Sequence, residues 1–205
     1  MCGRFIVVPK EVLSEIIQEI EANRPINPMP DWPAVRQAAY PGSDVSVALL
    51  NGGQLAATEL RWGYEASWSR GLIFNTRVET ALKPGRNMWQ ESLRERRCLV
   101  PTFGFYEPHQ TETGISPRTG KEVKQQYLFT KPDDPVFFLA GVYECESSGQ
   151  GRFSVLTTVP NRDVQPVHNR MPLVLEQHEL ETWLQGDYLT LFDRSAVRLS
   201  ASKAV

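Results

Sequence analysis

The apolar positions near the start of the chain predict a short strand and then an amphipathic helix. Phe5, Val7 and Val8 make residues 2–8 strand-like, and Pro9 suits the first position of a helix. Five apolar residues then recur at positions i, i+1, i+4, i+5 and i+8, which places them on one helical face: Val12, Leu13, Ile16, Ile17 and Ile20. We therefore expect a helix that ends near residue 21.

The next part of the chain is rich in residues that form turns. Five prolines within residues 23–42 exclude regular structure, so we expect a long ordered loop. Residues 45–50 and 54–62 follow and alternate as strands do. Asn51-Gly52-Gly53 lies between these two runs and is a strong hairpin signal. A hairpin is therefore predicted here.

The rest of the chain consists of short apolar runs separated by turn residues. The predicted strands cover residues 72–75, 97–100, 104–107, 126–130, 136–145, 152–159 and 171–175. We expect a proline turn at Pro101 and a loop or hairpin extension over residues 108–124. Helices are predicted over residues 88–96 and 176–184, the second ended by Gly186, and the tail after Arg194 is expected to be loose.

Many strands and few helices predict an α+β fold. We expect a largely antiparallel, barrel-like or sandwich-like sheet with peripheral helices. The length of 205 residues and the lack of repeats or linkers fit a single domain over residues 1–205. No apolar run reaches 18 residues and the start lacks a secretory pattern, so no membrane partner and a cytoplasmic location are expected, at the nucleoid if the source is a bacterium.

Charge and cysteine content narrow the possible functions. The net charge of −2 argues against a general nucleic-acid binder, but residues 61–107 carry a local excess of three basic side chains. Arg outnumbers Lys by 16 to 6, and the planar arginine fork suits phosphate. Three widely spaced cysteines predict a reducing compartment, and the few histidines give no metal-site spacing. We expect no metal.

Cys2 follows the initiator methionine directly. Removal of Met1 would give an N-terminus with an amine and a thiol on adjacent carbons. Such a residue can act as a nucleophile with its own amine as the base. It can also capture an aldehyde, first as a Schiff base and then as a five-membered thiazolidine ring. The alternative is an inert packing cysteine.

Two further residues are candidates for proton transfer. Glu107 ends a predicted strand beside aromatic residues, where a carboxyl group would have a raised pKa. His168 lies in a loop before an apolar strand and suits a proton shuttle. A solvated strand-end glutamate and a hydrogen-bonded histidine without a catalytic role are the alternatives.

Candidate binding residues lie in the locally basic segment. The amide of Asn75 suits a carbonyl oxygen, and Arg77 suits a phosphate, although a simple turn would also explain this segment. Trp62 and Trp68 lie near arginines and suit stacking on bases. Core packing is the alternative for both tryptophans.

Six motifs occur in order along the chain and together resemble the SRAP family, the SOS-response-associated peptidase or abasic-site-processing proteins. They are Met-Cys-Gly-Arg-Phe at residues 1–5, Trp62-Gly63 with Ser67-Trp68, Asn75-x-Arg77-x-Glu79-Thr80, the segment from Arg97 to Glu107, Ala140-Gly141 before Glu144, and His168-x-Arg170-Met171-Pro172. The resemblance covers about residues 2–185. It implies mainly antiparallel strands around a central cleft.

The resemblance also implies a function: capture of abasic sites in single-stranded DNA through a covalent thiazolidine link. Cys2 would form the crosslink, Asn75 would orient the N-terminus or the sugar oxygen, and Glu107 and His168 would transfer protons. Three arginines match positions expected to hold phosphates: Arg4, Arg77 and Arg170. No cofactor is needed, the partner is single-stranded DNA with abasic sites, and we expect a monomer. A lyase side activity and self-removal of Met1 are further expectations.

Two departures from the family pattern and two rival functions complete the sequence-based picture. Pro108 follows Glu107 where the family often has Trp, and residues 38–41 lack the family's Asn. The first rival is an N-terminal-nucleophile cysteine peptidase or amidohydrolase in which Asn75 stabilises an oxyanion. The second is a single-stranded DNA binding module without covalent chemistry.

Overall fold

The fold is built around one large sheet. The computed structural model describes residues 2–27, 37–85, 87–132, 134–145 and 151–204. Its strands are β1 Arg4–Val7, β2 Ala38–Ala39, β3 Asp44–Asn51, β4 Gln54–Trp62, β5 Asn75–Arg77, β6 Arg97–Ile115, β7 Glu122–Thr130, β8 Phe137–Cys145, β9 Gly151–Thr158, β10 Met171–Pro172, β11 Val174–Leu175 and β12 Ser200–Ala204. Its α-helices are α1 Lys10–Glu21, α2 Val78–Ala81, α3 Gln90–Glu95 and α4 Leu180–Gln185.

Five strands of this sheet form a closed circuit. The path β8-β9-β4-β3-β6 returns to β8, because β6 pairs with β8 as well as with β3. Most neighbouring strands are antiparallel, while β4 and β5 run parallel to β9. The expected α+β class with a largely antiparallel, barrel-like sheet is confirmed.

The core is divided between the two faces of this sheet. One cluster includes Val47, Trp62 and Phe153 together with the buried Cys2. The other includes the apolar face of α1, the α4 residue Trp183 and strand residues such as Leu99. The helices therefore cover the outer face of the sheet, and the inner cluster lies against the N-terminal segment.

The locally encoded elements form as predicted. Helix α1 begins directly after Pro9 and buries its apolar face. The hairpin of β3 and β4 turns at Gly52 and Gly53, whose positive φ angles of 60° and 87° fit a two-residue turn. Among the described residues, no helix is long and apolar enough to cross a membrane.

The proline turn expected at Pro101 is wrong, because β6 runs without interruption from Arg97 to Ile115. Along one edge of β6, the pairing with β3 ends at Leu99 and the pairing with β1 begins at Thr102. Pro101 lies between these two pairings, so its missing N–H costs no hydrogen bond to either strand. The polar stretch that follows is a hairpin extension, formed by β6 and β7. Glu107 therefore lies within this one long strand, opposite Tyr127 of β7.

The loose tail expected after Arg194 is also wrong. Strand β12 pairs with the C-terminal part of β7, from Ser200 opposite Thr130 to Ala204 opposite Gln126. Val197 is buried just before this strand. The tail therefore covers an edge of β7 that would otherwise expose unpaired backbone groups.

Smaller differences concern strand boundaries. The strand expected over residues 72–75 begins instead at Asn75 and runs to Arg77. The strand expected over 171–175 is two short strands, β10 and β11, on different neighbours. The predicted loop over 23–42 contains the short strand β2, and residues 28–36 of that loop lie outside the described residues.

Candidate active site

Strand β1 positions the N-terminal segment at the centre of the site. Arg4 pairs with Tyr106 in the register of β1 and β6, so Cys2 lies just beyond the start of that pairing. The side chain of Cys2 is completely buried. Its thiol donates to the carbonyl oxygen of Arg4 at 3.7 Å.

Asn75 contacts the backbone of Cys2. Its Nδ2 donates to the carbonyl oxygen of Cys2 at 2.7 Å. Pairing of Asn75 with Val155 fixes it at the start of β5. Its Oδ1 is buried and accepts no hydrogen bond from the described residues. The Nδ2 of this amide therefore holds Cys2, and its Oδ1 can accept a hydrogen bond from an amine or a sugar hydroxyl.

Glu107 is the buried acid of the site. It lies on β6 opposite Tyr127 and has no exposed surface. Burial raises the pKa of Glu107 to about 7. Near neutral pH this carboxyl group is therefore present in both protonation states, which suits a group that gives and accepts protons.

His168 faces Glu107 from the loop between β9 and β10. Its Nδ1 lies 3.8 Å from Oε2 of Glu107, and its backbone N–H donates to the carbonyl oxygen of Val164 at 2.9 Å. The backbone N–H and carbonyl of Arg170 both lie within hydrogen-bond distance of Nδ1, at 3.1 and 3.0 Å. Burial lowers the pKa of His168, so its ring is neutral at pH 7.

The electrostatics keep the Cys2 thiol protonated. Burial raises the pKa of Cys2 well above its ordinary value, and the nearby Glu107 carboxylate raises it further. Glu107 is thus the ionisable side chain whose negative charge opposes ionisation of the Cys2 thiol. The four residues predicted as catalytic are therefore brought together from the N-terminus, β5, β6 and the β9–β10 loop.

A family model for SRAP, the SOS response associated peptidase family, matches residues 1–199. The chain belongs to the SRAP family. Curated relatives carry the name abasic site processing protein. YoaM of Bacillus subtilis is 25% identical over 90% of this chain and 79% of its own length, and YedK of Escherichia coli is 24% identical over 100% and 87%. HMCES of Gallus gallus is 25% identical over 69% of this chain and 48% of its own length.

Solved structures have the same SRAP-like fold. A protein from Bordetella bronchiseptica matches with a TM-score of 0.69 and 19% identity, and each chain is covered completely. A phage-related protein from the same organism matches with a TM-score of 0.68 and 22% identity over 99% of this chain and 94% of that one. At these identities the likeness concerns the fold alone.

The three arginines named for this SRAP protein have different surroundings. Arg77 is exposed at the end of β5. The guanidinium of Arg4 lies over the ring of Tyr106, 3.9 Å from its centre. The guanidinium of Arg170 is bound by Glu79 and is only 11% exposed, so a phosphate could bind it only in competition with that carboxylate.

The two tryptophans differ more sharply. Trp62 has no exposed surface, and its Nε1 donates to the carbonyl oxygen of Phe74 at 2.9 Å. The expectation that Trp62 stacks on DNA is therefore wrong, because it packs between Phe5 and Phe153 in the core. Trp68 is 73% exposed, so its ring is open to solvent.

An open cleft lies beside the N-terminal segment that carries the buried Cys2. It is lined by Gly3, Arg4, Tyr40, Tyr106, Pro108 and Gln126. The sequence singled out Pro108 and residues 38–41 as departures from the SRAP pattern, and both contribute to this cleft. Tyr40 is 52% exposed at its edge. The sequence analysis did not name Tyr40 and Tyr106 as site residues. Their positions were a visible signal, because Tyr106 directly precedes Glu107 and Tyr40 lies within residues 38–41.

Proposed function

We propose that this protein captures abasic sites in single-stranded DNA through a thiazolidine formed by Cys2 after Met1 is removed. The observation that carries the proposal is the convergence of Asn75, Glu107 and His168 on the N-terminal segment. An amine and a thiol on adjacent carbons react with an aldehyde in a way that no internal cysteine can. The names of the SRAP relatives support a substrate that contains such an aldehyde.

The reaction needs four steps, and the site offers a group for each. His168 moves the proton that opens the sugar hemiacetal to its aldehyde. The Cys2 amine attacks the aldehyde carbon to give a carbinolamine, and Glu107 protonates the leaving hydroxyl so that water departs and an imine remains. The sulfur then bonds to the imine carbon while its proton passes through Glu107 to the nitrogen. The net change is the loss of one water.

The same imine explains the proposed lyase side activity. If the sulfur does not close the ring, the imine acidifies the adjacent carbon. Loss of that proton expels the phosphate on the 3′ side and cleaves the strand. The burial of the Cys2 thiol beside Glu107 favours ring closure, because the sulfur stays next to the imine carbon.

The surroundings of the site fit a single strand of DNA. A lesion in a duplex would have to be unpaired and extruded, at a cost of a few kcal/mol. Arg77 offers an exposed guanidinium for the backbone, and Trp68 offers an exposed ring for a base. Both contacts tolerate any sequence, which suits a lesion that carries no base.

The peptidase rival is less well supported by the geometry. An oxyanion hole needs a free donor aimed at the scissile carbonyl. The Nδ2 of Asn75 donates one of its two N–H groups to the carbonyl of Cys2 itself, and among the described residues the second N–H is aimed at no other carbonyl. The amide therefore positions the nucleophile's own backbone, which serves aldehyde capture directly.

Intact-mass analysis after incubation with abasic single-stranded DNA tests the proposal. The expected adduct has the mass of the chain without Met1 plus the oligonucleotide minus one water, and it survives denaturation. Cys2→Ala should give no durable adduct, only an imine that borohydride traps. Cys145→Ala removes an exposed thiol and is the matched control. A durable adduct on Cys2→Ala, or none on the wild type, would overturn the proposal.

A further inference from the structure

A bidentate ion pair joins the segment that carries Asn75 to the segment that carries His168. Nη1 and Nη2 of Arg170 donate to the two carboxylate oxygens of Glu79 at 2.6 and 3.0 Å. Nη2 also donates to the carbonyl oxygen of Thr157 at 2.7 Å. The hydrogen bonds from Arg170 lower the pKa of Glu79, so the pair is ionised at neutral pH.

The position of this pair in the sheet explains what it connects. Strand β5 pairs with β9 up to Arg77 opposite Thr157, and α2 with Glu79 follows at once. Strand β10 pairs with β9 from Met171 opposite Thr158, directly after Arg170. The ion pair therefore joins two short segments that both lie next to β9. One segment carries Asn75, and the other carries His168.

Arg170 in turn provides the backbone that surrounds the imidazole of His168. Its N–H lies 3.1 Å from Nδ1 and its carbonyl oxygen 3.0 Å from the same atom. A neutral ring can accept from the N–H, and a protonated ring can donate to the carbonyl. The backbone of Arg170 thus offers a partner to His168 in each protonation state that a proton shuttle passes through.

We propose that Glu79 is a positioning residue for the opening of the sugar ring. By holding the guanidinium of Arg170 with two hydrogen bonds, its carboxylate fixes the Arg170 backbone that orients His168. The inference rests on the proposed function for its kinetic consequences. It gives a role to the glutamate of the Asn75-x-Arg77-x-Glu79 motif, for which the sequence suggested none.

The opposite role for Glu79 would be that of a competitor for DNA. In that case its carboxylate occupies Arg170 until a phosphate displaces it. Two observations favour positioning: Arg170 is only 11% exposed, and its Nη2 is also bound to the Thr157 carbonyl inside the sheet. Arg77 lies two residues before Glu79 and is exposed, so it is better placed than Arg170 to bind a phosphate.

Single-turnover crosslinking of Glu79→Gln tests the proposal on two oligonucleotides. One carries a natural abasic site, and the other carries an aldehyde that cannot cyclise. Glutamine loses the charge and turns an N–H group toward one arginine nitrogen, so His168 is held less firmly. We expect crosslinking to slow about 10-fold on the cyclic sugar and less than about 2-fold on the open aldehyde. DNA affinity and the melting temperature should stay close to those of the wild type.

Two further variants sharpen the result. Arg170→Lys keeps the charge but lacks the planar fork that makes two parallel hydrogen bonds to a carboxylate, so it should show the same contrast between the two substrates. Glu91→Gln breaks a surface ion pair with Arg96 on another part of the molecule and should change neither rate. Equal slowing on both substrates, or no slowing, would overturn the inference. Tighter DNA binding by Glu79→Gln would overturn it in favour of the competitor role.

A spectroscopic measurement keeps the inference testable even if the wild type forms no adduct. The chain has three histidines, so the ring ¹⁵N signals of His168 can be assigned by substitution. We expect Glu79→Gln to shift the Nδ1 and Nε2 signals of His168 and Glu91→Gln to leave them unchanged. Unchanged His168 signals in Glu79→Gln would overturn the positioning role, whereas a wild type without adducts overturns only the proposed function.

Discussion

The side-chain amide of Asn75 holds the carbonyl oxygen of Cys2 at 2.7 Å, across 73 residues of sequence. This hydrogen bond fixes the backbone of the residue that we propose as the nucleophile. The Oδ1 of the same amide is buried and accepts no hydrogen bond from the described residues. A single side chain therefore anchors the N-terminal segment and keeps one acceptor for a further hydrogen bond.

Replacement of Asn75 by Asp should slow crosslinking by about 10²-fold, because a carboxylate cannot donate to the Cys2 carbonyl and would repel it. The loss should be the same on a natural abasic site and on an aldehyde that cannot cyclise, since both need the Cys2 amine. Single-turnover rates on the two substrates measure this. Asn87→Asp alters an amide bound to the carbonyls of Ala81 and Lys83 and is the control. A normal rate in Asn75→Asp would show that the hydrogen bond is only structural.

Replacement of Arg77 by Ala should weaken binding to all single-stranded sequences alike. If one phosphate contact is lost, the slope of log affinity against log salt should become shallower by about 0.7. Titrations at several salt concentrations measure the slope. Arg118→Ala removes an exposed arginine in the turn between β6 and β7 and should leave the slope unchanged. An unchanged slope in Arg77→Ala, with an altered base preference, would contradict a phosphate contact.

The parts of the fold that the sequence predicted are those with a local signal. Helix α1 follows from the spacing of its apolar residues, and the β3–β4 hairpin follows from its two glycines. Continuity of β6 through Pro101 could not be predicted, because it depends on which strand lies beside each residue. The ordered tail depends likewise on the open edge of β7, which no local pattern reveals.

The candidate site shows the same division. The motifs identified Cys2, Asn75, Glu107 and His168, and the structure brings them together. Their mutual distances come from pairings between distant segments, as does the contact of Glu79 with Arg170 over 91 residues. Composition likewise could not distinguish the core residue Trp62 from the exposed Trp68, because both lie near glycine and arginine in the sequence.

The buried acid should reduce stability at high pH. Since the pKa of Glu107 is raised from 4.5 to about 7, the native state keeps a proton that the unfolded chain releases between these values. The free energy of unfolding of the wild type should therefore fall by up to roughly 3 kcal/mol, relative to that of Glu107→Gln, as pH rises from 4.5 to 8. Urea unfolding of both proteins at pH 5 and pH 8 measures the difference. Glu59→Gln, on the exposed side of β4, is the control. A constant difference across pH would contradict the raised pKa.

Kinetics on two substrates should separate the roles of His168 and Glu107. If His168 opens the sugar, His168→Ala should slow crosslinking to a natural abasic site by about 10²-fold, within the usual range for acid-base catalysis. It should slow reaction with an aldehyde that cannot cyclise much less, because that substrate is already open. Glu107→Gln should slow both, since dehydration of the carbinolamine is common to them.

The pH dependence and a stability control complete this test. On the open aldehyde the wild-type rate should fall as pH rises through about 7, because dehydration needs the protonated Glu107 carboxyl. Glu107→Gln should lose that dependence. His178→Ala removes an exposed histidine and should match the wild type on both substrates. Equal losses on both substrates for His168→Ala would contradict the assigned division. A lower melting temperature with normal rates would mean that His168 only packs beside Glu107 and beneath the strand that begins at Met171.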